Sequence, residues 1–145
     1  MILDAQALFS DAQAITASAV STNSIDLGLA SGYDLGSGEN LYIHLNVDVA
    51  FTDSGSDSTV AVTLVTDDNA SLSSPTAVQT LGTFAALSAV GATIKARIQP
   101  GLSLERYVGL NYTVSGGNLT TGSITAALVK DVDTSKAYAD AITIS

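Results

Sequence analysis

The sequence predicts an all-β chain: an antiparallel jelly-roll/β-sandwich of about eight strands, with an N-terminal arm. Three observations carry that expectation. Apolar and polar residues alternate with period two in several long runs, the pattern of a strand with one buried face. Clusters of Gly, Asn, Asp and Ser punctuate those runs at intervals of roughly 8–15 residues, which suits a sandwich, jelly roll or barrel. Finally, 46% of the chain is apolar and only 13% is charged, so a core is available and disorder is not expected. A length of 145 residues fits one domain, taken as 1–145, with 1–12 as the candidate arm.

The clearest strand runs from Leu41 to Phe51. Leu41, Ile43, Leu45, Val47, Val49 and Phe51 share one face, and Tyr42, His44, Asn46, Asp48 and Ala50 share the other. A helix would scatter those six apolar residues around its circumference. Thr59–Val65 places Val60, Val62 and Leu64 inward. Thr93–Gln99 places Ile94, Ala96 and Ile98 inward and Lys95, Arg97 and Gln99 outward. Arg106–Val114 buries Val108, Leu110, Tyr112 and Val114, and Ser123–Lys130 buries Ile124, Ala126 and Leu128 with Val129 on the reverse. Shorter candidates are Gln13–Val20, Asn23–Gly28, Ala77–Phe84 and Ala141–Ile144; Gln79–Gly91 is weakly patterned, strand or loop. Ala5–Ala14 reads either as one or two helical turns or as an extended arm. Turns are expected at Ser31-Gly32, Gly36-Ser37-Gly38, Asp53-Ser54-Gly55, Asp67-Asp68-Asn69, Pro100-Gly101 and Gly116-Gly117-Asn118.

Composition narrows the function classes. Without Cys there is no disulfide, thiolate metal site or thiol nucleophile. Neither a secretion signal nor a membrane span is expected, since no basic segment leads an apolar run and no stretch of about 20 apolar residues occurs. The formal charge is −9. Residues 1–94 hold no Lys or Arg at all, and Lys95, Arg97 and Arg106 are the nearest approach to a basic cluster. Nucleic-acid binding, which needs clustered cations against phosphate, is not expected. Ser and Thr together number 34 and Ala 21, so much of the surface is small and neutral.

Catalytic constellations are equally sparse. His44, the single histidine, shares its strand face with Asp48, but four strand residues span about 13 Å, too far for the pair to work as base and orienter. No nucleophile elbow, P-loop or dinucleotide fingerprint occurs. Asp53 to Asp57 and Asp67-Asp68-Asn69 could offer oxygen ligands to Ca²⁺, but neither follows the EF-hand pattern or holds a Glu to close a shell. Aspartates in such loops more often cap turns. No catalytic residue, cofactor or metal site is assigned, and an enzyme is not expected.

Several stretches, in order, resemble the small jelly-roll capsid cement (decoration) proteins of tailed bacteriophages. They are Met1-Ile2-Leu3-Asp4-Ala5 with Leu8 to Ala14; Thr66 to Ala70 with Ser73-Ser74-Pro75-Thr76; Glu105 to Val114; and Lys136-Ala137-Tyr138. Gly109 departs from the pattern, standing where a larger residue is expected. The resemblance implies a homotrimer on the outer capsid surface of the virion, bound to the major capsid protein where capsomers meet. A cysteine-free chain suits assembly in a reducing host bacterial cytoplasm, and negative charge suits the side of the shell away from the genome.

On this reading the protein stabilises an assembled lattice without catalysis, by binding the lattice and not its separated subunits. The candidate interface residues are Ile2, Leu3, Leu8 and Phe9 in the arm, which alternatively cover the domain's own core. Arg97 and Arg106 are further candidates, as forked anchors for acidic partners or as members of internal pairs with Glu105 or another carboxylate. The rival reading is a carbohydrate-binding jelly-roll module of a phage or bacterial surface structure, which would stack sugars on aromatic faces. A third, a calcium-dependent fibre module, would lose thermal stability in EDTA.

Overall fold

Among the described residues, alternation along the sequence becomes nine strands in two antiparallel sheets. The computed structural model describes residues 3–28, 35 and 38–132. The strands are β1 (Leu8–Ala14), β2 (Ala19–Val20), β3 (Ile25–Asp26), β4 (Tyr42–Thr52), β5 (Thr59–Asp67), β6 (Thr76–Phe84), β7 (Thr93–Arg97), β8 (Tyr107–Ser115) and β9 (Thr121–Val129). One sheet has the order β1-β9-β4-β7. The other has the order β2-β8-β5-β6, with β3 also on β8.

β2 and β3 are two halves of one edge strand, pairing Ala19 with Tyr112 and Ile25 with Val108. Ser21 bridges the gap: its amide donates to the Leu110 carbonyl (2.8 Å) and its Oγ accepts from the Leu110 amide (3.0 Å). Counted as one, they bring the total to eight strands. Every connection except β5 to β6 then crosses between the sheets, which is jelly-roll connectivity.

The core lies between the sheets and is built from the inward sets of the alternating runs. Ile43, Leu45, Val47 and Phe51 of β4 meet Val60, Val62 and Leu64 of β5, Val108, Leu110 and Tyr112 of β8, and Ile124 and Ala126 of β9; all are buried. Each large side chain buried there contributes about 1.5–3 kcal/mol of transfer free energy. Phe51 and Phe84 meet edge to face, with ring centroids 5.8 Å apart. Tyr112 is fully buried, and its hydroxyl lies 2.8 Å from Ser10 Oγ on β1, a polar tie from one sheet to the other. Ser10 Oγ donates onward to Gln13 Oε1 (2.6 Å), so the tie ends on a half-buried amide rather than on an orphaned group.

Four expectations need correction. Val49 does not join the core; it is 50% exposed. The β4–β9 ladder slips once between Val47 and Val49 and again between Val49 and Thr52. The first bulge turns Val49 outward and the second returns Phe51 inward. Second, residues 8–12 of the expected arm lie in β1 and pair with β9, Leu8 opposite Ala127. Ahead of them is a single 3₁₀ turn, Ala5–Ala7, capped by Asp4 Oδ1, which accepts from the Gln6 amide at 2.9 Å. Third, the run Gln13–Val20 is not one strand, because β1 ends at Ala14 and β2 holds only Ala19 and Val20. Fourth, Asn23–Gly28 contributes only the two residues of β3. Candidate strand Ala141–Ile144 and the Ser31-Gly32 turn lie outside the described residues.

Gly109 is explained by its cover. It faces away from the core on β8, and a Cβ there would overlap Leu72 Cδ1 and press on Ser21 Oγ. Leu72, from the β5–β6 connection, is 3% exposed and seals that spot. Gly122 on β9 plays the same part inside: a Cβ would run into the Phe51 ring, and its φ of +148° disfavours any side chain. Gly122→Ala is therefore expected to destabilise the fold by about 1–3 kcal/mol, the usual cost of overpacking. Urea unfolding checks this, and a midpoint equal to wild type would contradict the close Phe51 contact.

Candidate functional site

The outer face of the β4–β9 pair carries the most chemically varied side chains. His44, Asn46 and Asp48 of β4, Thr125 and Ala127 of β9, and Leu3 line an open groove of about 450 Å³. Period two on β4 explains why the three polar residues share this face. Asp48 is fully engaged: Asn46 Nδ2 donates to Oδ1 (2.9 Å) and Thr125 Oγ1 donates to Oδ2 (2.6 Å). Thr125 in turn accepts from the Ala12 amide (3.0 Å), tying β1 to this face. Asp48 therefore does not orient His44, as the strand rise already implied. Burial and then the Lys95 charge, from the register position opposite on β7, push the His44 pKa below its ordinary value.

The arginines separate. Arg106 is held inside the chain. Its Nε donates to Asp26 Oδ1 (2.9 Å) and its Nη2 to Oδ2 (2.7 Å), a forked pair with the guanidinium 5.0 Å from the Tyr107 ring centre. Of the two roles open to Arg106, the internal pair is the one present, and the partner is Asp26 rather than Glu105. That pair, with the Gly28 amide, holds the Asp26 carboxyl at about 2. Arg97 is different: it is exposed on edge strand β7 and makes no ion pair among the described residues.

The arm residues also divide. Phe9 is fully buried, so it covers the domain's own core. Leu8 is half-buried at the start of β1, and Leu3 is 45% exposed at the groove. Ile2 lies outside the described residues. Sequence reasoning missed three exposed apolar side chains altogether: Val49, Leu87 (53% exposed) and Val90 (65%). Leu87 and Val90 stood in a weakly patterned run. The signal that could have marked them is that residues 69–94 contain no charged residue.

The acidic loops act as braces. Asp53 Oδ2 accepts from Ser58 Oγ (2.7 Å) and from the Ser58 and Asp57 amides. Asp67, 3% exposed, accepts from the Asn69 amide on Oδ1 (3.0 Å) and the Ser74 amide on Oδ2 (2.8 Å). The Ser74 bond is the main reason its pKa falls below the ordinary carboxylate value. The fold adds Glu105 to Asp67 and Asp68, with ligand oxygens of the three within 4.8 Å of one another. Sequence reading had found no Glu near this loop, because Glu105 enters from the β7–β8 connection.

Among the described residues no aromatic side chain is exposed. Phe9, Phe51, Phe84 and Tyr112 are buried, and Tyr42 and Tyr107 are half-buried. The strand order, the crossing connections and the faces just described define a jelly-roll module. Within that class the chain belongs to the Bbp16 family, which it matches over residues 9–128, from β1 through all but the end of β9. No curated protein matches it.

Asp53 supplies a pH test. The Ser58 hydroxyl first, then the Gly55 amide, hold its carboxyl at about 2, below the ordinary 3.8. A depressed carboxyl binds fewer protons folded than unfolded, so its contribution is complete above the ordinary value and is lost as pH falls toward the folded one. The Tm of wild type should exceed that of Asp53→Asn above about pH 4, and the gap should close by about pH 2. A gap independent of pH would show that the carboxylate charge plays no part in the brace.

Proposed function

We propose that the protein is a bacteriophage capsid cement protein: a homotrimer that binds the outer surface of the assembled shell between capsomers, contacts the major capsid protein and stabilises the lattice without catalysis. The observation that carries this reading is the way the charged side chains are used. Asp26, Asp48, Asp53, Asp67 and Arg106 are spent on internal ties, and the surface is rich in small residues with a few exposed apolar side chains. Such a surface suits broad contact with other protein. The ordered resemblance to cement proteins supports the same reading, as does a jelly roll whose first and last described strands are paired in one sheet.

The mechanism is linkage. A protein that binds the lattice and not separated subunits adds stability by mass action. Three joined copies bind with high effective concentration after the first contact, so each footprint can be modest. The outward candidates are Leu3 and Arg97, both exposed. The sugar-binding alternative is the weaker one: a stacking site needs an open aromatic face, and none is exposed among the described residues.

Mixing purified protein with undecorated mature shells tests the proposal. Co-sedimentation with shells, no co-sedimentation with free capsid subunits, and a higher rupture temperature of the decorated shells are expected. Binding to subunits as strong as to shells, or decoration without any change in rupture temperature, would overturn the cementing role.

A further inference from the structure

Residues 69–94 carry no charged side chain, in a chain of formal charge −9. They include β6, which is the edge of its sheet, and the 85–92 connection to β7, the edge of the other. That connection runs beside the doubly bulged part of β4. The Val47 amide donates to the Ala92 carbonyl (2.9 Å), the Gly91 amide to Val47 (2.8 Å) and the Phe51 amide to Ser88 (3.0 Å). Val49, Leu87 and Val90, three of the four large apolar side chains most exposed among the described residues, therefore come from two segments that are bonded together.

Neither Val49 nor Leu87 is exposed by default. Regular alternation would have buried Val49 with Val47 and Phe51, and two successive bulges turn it out. Leu87 holds a φ of +58°, a left-handed conformation that non-glycine residues other than Asn and Asp rarely adopt. Backbone irregularity is thus combined with apolar exposure, which brings no gain within this chain.

We infer that the face built from this uncharged segment and Val49 is where another copy of the same chain packs. Copies that each carry −9 repel one another, and they can come within a Debye length of about 8–10 Å most readily through a face free of charge. A cationic partner would be drawn instead to the acidic loops at Asp53–Asp57 and Asp67–Asp68. The neutral face complements itself. Gln79 of β6 ties this segment to the end of β7: its Nε2 donates to the Arg97 carbonyl (2.7 Å) and its Oε1 accepts from the Gln99 amide (3.0 Å). The inference rests on the self-association part of the reading above and not on shell binding.

Analytical ultracentrifugation of the isolated full chain tests it, with folding of each variant checked by thermal melting. Wild type should sediment as a multimer. Leu87→Glu and Val90→Glu should raise its dissociation constant by about tenfold or more, as loss of a buried anchor does. Leu87→Gly should weaken association too, while relieving the left-handed backbone, so a loss of stability cannot explain its effect. Ala17→Glu, on the exposed β1–β2 connection at the opposite edges of both sheets, should change nothing. A multimer unaffected by Val90→Glu and Leu87→Gly would overturn this face and leave self-association standing. A monomeric wild type would overturn self-association itself.

Discussion

The β4–β9 ladder is the constraint on which the rest of the structure depends. From Tyr42 opposite Val129 to Val47 opposite Ile124 it keeps strict register, and the core follows from it: Ile43, Leu45 and Val47 face in with Leu128, Ala126 and Ile124. A side-chain period of two means that a slip of one residue reverses every face beyond it. The ladder slips twice in the next five residues, so the reversal affects Val49 and is undone before Phe51. Gly122, across from this disturbed stretch, supplies the space that the Phe51 ring occupies. Core and outward face are products of the same register.

Charge is used in a way that fits an inert surface. Carboxylates act mainly as hydrogen-bond acceptors for turns, as with Asp53 on Ser58 and Asp67 on the Asn69 and Ser74 amides. Arg106 closes on Asp26 and fixes β3 against the start of β8. Even the groove on the outer β4–β9 face has its one carboxylate occupied by Asn46 and Thr125. Groups used this way are not presented to a substrate. What remains for partners is shape, a surface of small residues and a few apolar side chains, the properties that the cementing proposal requires.

Much of the fold was legible in the sequence because one physical signal, period-two burial, dominates β4, β5, β8 and β9. The boundaries of those strands fell within a few residues of the expected runs, and Val60, Val62, Leu64, Val108, Leu110, Tyr112, Ile124 and Ala126 all lie where alternation put them. What was not legible depends on non-local geometry. A bulge leaves no mark in single-chain alternation, so Val49 was assigned to the core. The split of β2 from β3 follows from the way Ser21 satisfies Leu110, a contact 89 residues apart. Of the candidate interface residues, Phe9 and Arg106 could be core and ion pair as readily as contacts, and only the packing of β1 and the position of Asp26 decide the matter. Glu105 joins Asp67 and Asp68 through topology alone.

The central claim is that this jelly roll is a permanent, non-catalytic part of an assembled particle. Counting its copies against the major capsid protein in extensively purified particles, by quantitative mass spectrometry, tests that most directly. The account predicts a fixed stoichiometry that is a simple multiple set by the lattice and survives repeated gradient purification. Particles free of this chain, or carrying it in amounts that fall with each purification step, would contradict it.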